Sequence, residues 1–271
     1  MKNKEIIQRK TKILATLGPS SSTIKSIIEL SKAGANAFRL NCSHLNEAGL
    51  KDYVRKIRRA EEIIKKPIGI LVDLQGPKIR IGAVGNEDNL LKEGDIFLLD
   101  LNKEVGNKKR VSLPHKKIFE SIKRGHLVLL DDGKIHLKVI SVKKDVIKCK
   151  VLQGGYIKSN KGVNLPDTNI KTSALSGIDK KFAAIAVKQG VDWIALSFVQ
   201  KPNDIKDLRK ICSNKVSIMA KIEKPSALDH IDSIADLADG IMIARGDLGV
   251  ELPIESVPGW QKKIIRVARV K

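Results

Sequence analysis

The 271-residue chain carries 51 Lys and Arg against 30 Asp and Glu, a formal charge of +21, with 42% hydrophobic residues. That apolar share supplies a core for one large domain or two ordinary ones, and no apolar run approaches the ~20 residues of a membrane helix. The lysines are scattered, as in "IIKKP" and "VKKDVIKCK", with neither the aromatic interleaving of a single-strand binder nor a zinc or helix-turn-helix signature, so no nucleic-acid partner is expected.

In chain order, "KILATLG" (12–18) predicts a buried strand, after which Ile24, Ile27 and Ile28 share a helical face that Gly34 closes as a C-cap. "NAFRLN" (36–41) predicts a second strand, followed by a helix with Leu50, Tyr53, Val54, Ile57 and Ile64 inward and Pro67 beyond its end. "IGILVDL" (68–74) is the third. From Lys78 to Ser173 the rhythm changes to short period-2 strands such as "VLLDDGKIHLKVISV" and "DVIKCKVLQGGYI", the pattern of an inserted all-β domain in which Cys149 faces inward. "DWIALSF" (192–198), "VSIMAKIE" (216–223) and "GIMIAR" (240–245) resume the strand-helix alternation. Their helices bury Phe182 and Ile185, Ile205 and Leu208, then Leu228, Ile231 and Ile234, and the last places Trp260, Ile264, Ile265 and Val267 at helical spacing.

Alternating strands and helices predict an α/β fold of parallel units. Removing the insert leaves roughly 175 residues, against roughly 250 for a complete eight-unit barrel. The expectation is an incomplete TIM-type β/α barrel of six strands out of eight, over 1–77 and 174–271, with a β lid over 78–173. Its first and sixth strands would be open edges. Cys42, Cys149 and Cys212 form no CxxC pair, and the N-terminus has no signal-peptide h-region, so a reducing, cytoplasmic setting is expected.

In such barrels reactive groups collect at the C-terminal strand ends. Here those ends read Thr16 to Ser20, then Arg39, Asn41, Ser43 and His44, then Asp73, Ser197, Lys221 and Glu223, and finally Arg245 and Asp247. Cations suit a phosphate, and converging carboxylates suit a divalent, oxygen-loving metal. Singly, each has a plainer reading: Lys221 and Glu223 as a surface ion pair, Asp247 as a helix cap, Gly246 and Gly249 as turn formers, His44 as surface. Their concurrence on one rim favours a site, and the amides around Arg245, Gly246 and Asp247 would suit an anion.

The segments "TKILATLGPSS", "GANAFRLNCSH", "ILVDLQGPKIRIG", "NKGVNLPD", "GVDWIALSFVQ", "IMAKIEKP" and "GIMIARGDLGVELP" resemble the pyruvate kinase family, in order, from residue 11 to the end. The resemblance implies phosphoryl transfer from phosphoenolpyruvate to ADP, giving pyruvate and ATP in glycolysis. It implies that Arg39 grips the substrate phosphate, that Lys221 neutralises the phosphoryl and enolate oxygens, and that Glu223 and Asp247 hold Mg²⁺ or Mn²⁺. Arg245 and Gly246 join Asp247 at the substrate. Asn41, Ser43 and Asp73 match a monovalent-cation site, His44, Arg80 and Lys161 match nucleotide-facing positions, and Asp132 matches a lid residue. Lys78, preceded by Leu74 and Gln75, resembles the branch in which an ammonium replaces bound K⁺, which implies no K⁺ requirement. The family's seventh and eighth strands and C-terminal domain have no counterpart, which leaves room for a complementing polypeptide or a homo-oligomer; the alternative is a non-catalytic remnant, or half of a split enzyme, that binds anionic ligands or a complementing polypeptide.

Overall fold

The computed structural model describes residues 10–85, 89–170 and 173–271. The first nine residues, on which the expected lack of a leader partly rests, lie outside the described residues. Six strands, β1 (Leu14–Thr16), β2 (Ala37–Asn41), β3 (Gly69–Asp73) and, after the insert, those formed by Trp193–Leu196, Ser217–Ile222 and Gly240–Ile243, lie side by side in one parallel sheet in sequence order. The insert contributes β4 (Leu90–Leu91), β5 (Ile96–Asp100), β6 (Arg110–Ser112), β7 (Leu127–Leu130), β8 (Ile135–Lys143), β9 (Val146–Gln153), β10 (Gly155–Tyr156) and β11 (Val163–Asn164). The last three sheet strands are therefore β12, β13 and β14. Among the described residues β1 pairs only with β2 and β14 only with β13, so the curled sheet is an incomplete TIM-type barrel.

The helices α1 (Ile24–Ala33) and α2 (Glu47–Ile64) follow the first two strands. Thr23 caps α1 by accepting the Ser26 N–H at 3.1 Å, and Gly34 ends it at φ +123°, a conformation open to glycine. The insert, expected to be all β, also holds a short helix, α3 (Lys116–Ser121), which forms because Ile118 and Phe119 are adjacent and both bury. Beyond it come α4 (Gly177–Lys188), α5 (Pro202–Cys212), α6 (Pro225–Leu228), α7 (Ile231–Leu237), α8 (Arg245–Glu251) and α9 (Val257–Val270). Leu228, Ile231 and Ile234 thus sit on two short helices broken at Asp229–His230, where one was expected. On α9, Ile264 is buried with Trp260 and Val267 packed beside it, but Ile265 is 41% exposed, because it follows Ile264 by about 100° around the helix.

Two hydrophobic clusters share no residue. One spans the parallel sheet and its helices, with Ile27, Phe38, Leu50, Ile70, Ile194 and Ile218 fully enclosed. The other fills the insert, where a six-stranded sheet in the order β11-β7-β8-β9-β5-β6 encloses Phe97, Leu99, Leu137 and Cys149.

The strand starts are tied by a recurring device. The side-chain oxygen of Asn36 accepts the Ile13 N–H at 2.9 Å, that of Asp192 the Ile70 N–H at 2.7 Å, and that of Asp239 the Ile218 N–H at 2.6 Å. The three bonds fall at alternate strand interfaces: β1 with β2, β3 with β12, and β13 with β14. Arginines brace two of them: Arg58 reaches Asp192 and the Gly190 carbonyl, and Arg209 reaches Asp239 and the Leu237 carbonyl. This end is fixed, and the opposite rim is left to carry chemistry.

Candidate active site

At the C-terminal rim, strand alternation turns Asp73, Lys221 and Glu223 inward, and all three are buried. Asp73, at the end of β3, holds two cations. Arg39 from β2 donates to its Oδ2 from Nε at 2.6 Å, and the Lys221 ammonium lies 3.2 Å away. Lys221 also donates to Ser197 Oγ at 2.8 Å and pairs with Glu223 Oε1 at 2.9 Å. An ammonium has three hydrogens, and these partners engage all of them. Arg39 Nη1 reaches Thr16 Oγ1 at 3.2 Å, so the network runs from β1 to β13.

The Lys221–Glu223 pair is therefore buried rather than a surface ion pair, with 10% and 3% of the side chains exposed. Burial acts to lower the Lys221 pKa, but the charges of Glu223 and Asp73 outweigh it and hold the ammonium charged. Glu223 moves the other way for an acid. Burial raises its pKa above the ordinary value, against the pull of Lys221, and the negative charge of Asp247 adds to the rise. Lys221 has two carboxylates, whereas Glu223 has one cation and a repelling neighbour.

That repulsion tests whether a divalent cation fits. Glu223, crowded by the Asp247 charge, and Asp247, which lines the cleft, would form the sparse donor set that Mg²⁺ takes when water and substrate oxygens complete its shell. Among the described residues no group of three or more His, Cys, Asp or Glu is arranged to hold an ion by itself. Arg245, Gly246 and Asp247 form the exposed first turn of α8, one residue beyond β14.

A cleft of about 400 Å³ separates sheet and insert, lined among others by Lys78, Asp132, Phe198, Lys224 and Asp247. Of the remaining predicted residues, Asn41 stands opposite Asp73 in the register of β2 with β3. Asn41 Oδ1 accepts the Ser43 N–H at 3.0 Å, Ser43 and His44 are exposed, and Leu74 is buried with its carbonyl accepting from Ser197 Oγ at 2.8 Å. Lys78 is exposed in the cleft, while Arg39 and Lys221 hold Asp73. Arg80 binds the Asn160 carbonyl at 2.8 Å and Lys161 pairs with Asp131 at 2.8 Å, both within the insert.

Sequence reading missed a clasp across the cleft. Buried Glu251 on α8 accepts from Lys224 and, at 2.8 Å, from Asn164 on β11. Asn164 lies inside "NKGVNLPD", but nothing in that motif identifies its partner.

Residues 8–271 match the family described as "Pyruvate kinase, barrel domain". The chain belongs to the pyruvate kinase family. It is 46% identical to a pyruvate kinase of Methylorubrum extorquens over 96% of this chain and 55% of that protein, and 44% identical to one of Agrobacterium vitis over 97% and 56%. A crystal structure of a pyruvate kinase from Cryptosporidium parvum superposes with a TM-score of 0.91 at 33% identity, covering 96% of this chain and 55% of that one. The chain thus spans about half the length of the pyruvate kinases it matches.

Proposed function

We propose that the chain carries the phosphoenolpyruvate side of a pyruvate kinase site, for transfer of the phosphoryl group to ADP. The observation that supports this most is the buried Asp73–Lys221–Glu223 network, joined by Arg39 and beside Asp247 on one rim. Arg39, only part-buried, presents its guanidinium to the substrate phosphate, and Arg245 and Gly246 border the same substrate. Lys221 exchanges one of its three partners for a phosphoryl oxygen and stabilises charge as the group moves, with positioning and electrostatics as the source of catalysis. Glu223 and Asp247 hold Mg²⁺ or Mn²⁺, which supplies positive charge at the transferring group. His44, Arg80 and Lys161 face the nucleotide, and residues 78–173 act as a lid that brings Asp132 over the cleft. Asn41, Ser43, Asp73 and Leu74 line the place of a monovalent cation, and Lys78 replaces K⁺; added K⁺ leaves turnover unchanged.

The open edges β1 and β14 are where further strands, from a complementing polypeptide or a second copy, would pair. The experiment is Mg²⁺-dependent pyruvate formation from phosphoenolpyruvate and ADP, by the purified chain alone and with a polypeptide that supplies the other half. Turnover should appear in the complemented sample and fall about 10²-fold or more in Lys221→Met. No turnover in either sample, with anion binding retained, favours the second reading, a non-catalytic anion-binding remnant.

A further inference from the structure

One bulky residue at the site has a strained backbone. Phe198, the second residue after β12, sits at φ +56°, in the left-handed region that costs non-glycine residues energy. In that conformation its N–H donates to Glu223 Oε2 at 2.8 Å, the oxygen that Lys221 leaves free. The preceding residue, Ser197, holds Lys221 through its hydroxyl. Two consecutive residues thus fix the two ends of the buried ion pair.

Gly76 explains how the strain is kept. It lies at φ +69°, and a Cβ there would meet the Phe198 ring at 2.6 Å, so the ring packs flush on bare backbone. The Gly76 N–H donates to buried Asp179 Oδ1 at 3.1 Å, and Asp179 stands at the start of α4, just after the chain returns from the insert. Gly76 itself precedes Pro77 and Lys78, where the chain leaves for the insert. Both crossings between barrel and insert therefore converge on the surface against which Phe198 rests.

We propose that Phe198 is a positioning residue: Gly76 holds it left-handed, its N–H aims Glu223, and the hinge of the insert is thereby mechanically linked to that carboxylate. The part of this that concerns metal rests on the pyruvate kinase reading; the link between Phe198 and Glu223 does not.

The test compares Phe198→Ala with Phe198→Gly in the full chain. Both remove the ring, and only glycine adopts a positive φ without cost. With Mn²⁺ alone as the probe and free ion counted by electron paramagnetic resonance, Phe198→Ala should weaken binding about tenfold, on the order of the cost of a left-handed residue. Phe198→Gly should recover most of that loss. Gly76→Ala, which touches neither metal nor Glu223, should weaken binding similarly, and by less in a Phe198→Gly background. Where Glu223→Gln weakens Mn²⁺ binding, equal binding by the Ala and Gly variants overturns the proposal, whether both match the original chain or both are equally weakened. Glu223→Gln separates the two readings. If it leaves Mn²⁺ binding unchanged, the metal assignment fails, and the Phe198 amide resonance decides the positioning role: a shift in Glu223→Gln and Gly76→Ala upholds it, and an unmoved resonance overturns it.

Discussion

Lys221 shows what burial does to a single group. Its three hydrogens are satisfied in this arrangement, so any new acceptor must displace Asp73, Ser197 or Glu223. Ser197 is the neutral partner, and Ser197→Ala leaves a buried ammonium hydrogen and the Leu74 carbonyl unsatisfied, a loss of about 1–3 kcal/mol measurable by urea unfolding. The thiols offer a second check. Burial raises Cys42 and Cys149 to about 12 and Cys212 to about 11, from 9.0. At pH 8 all three should resist a thiol reagent in the folded chain and react once denatured. Because the folded pKa values lie above the unfolded one, the thiols' contribution to stability is complete below pH 9 and is lost as pH rises toward about 12.

Among the elements, the strands were the most legible, because buried parallel strands are short, largely apolar runs. All six predicted strands of the parallel sheet lie where their runs are. Helix continuity was less legible: Leu228, Ile231 and Ile234 keep one spacing across a break at Asp229–His230 that periodicity does not report. The rim residues Arg39, Asp73, Lys221 and Glu223 were legible for the same reason as the strands, since strand order and alternation place them together. Partners chosen across the cleft, such as Asn164 with Glu251, and backbone strain, as at Phe198, leave no period in a sequence. The alternating side-chain bonds at the strand starts carry their own prediction. Asp239→Ala should destabilise the barrel by about 1–3 kcal/mol, because the Ile218 N–H loses its acceptor, while Asp239→Asn keeps an oxygen there and should lose less, as denaturant midpoints would show.

For the whole molecule, two separate hydrophobic clusters imply two cooperative units. Urea unfolding followed by hydrogen exchange should resolve distinct stabilities for amides of β7 to β9 and of β2, β3 and β12, and a single shared transition would contradict this. The bond between the Gly76 N–H and Asp179 joins the outgoing and returning chain at one spot. Among the described residues the insert is also held at a second place, where Asn164 meets Glu251 and Gly133 lies against Val250. Were the insert to swing as a door, the first contact would be its pin and the second its latch: loosening the latch would change how often the door stood open, and disturbing the pin would change where it closed.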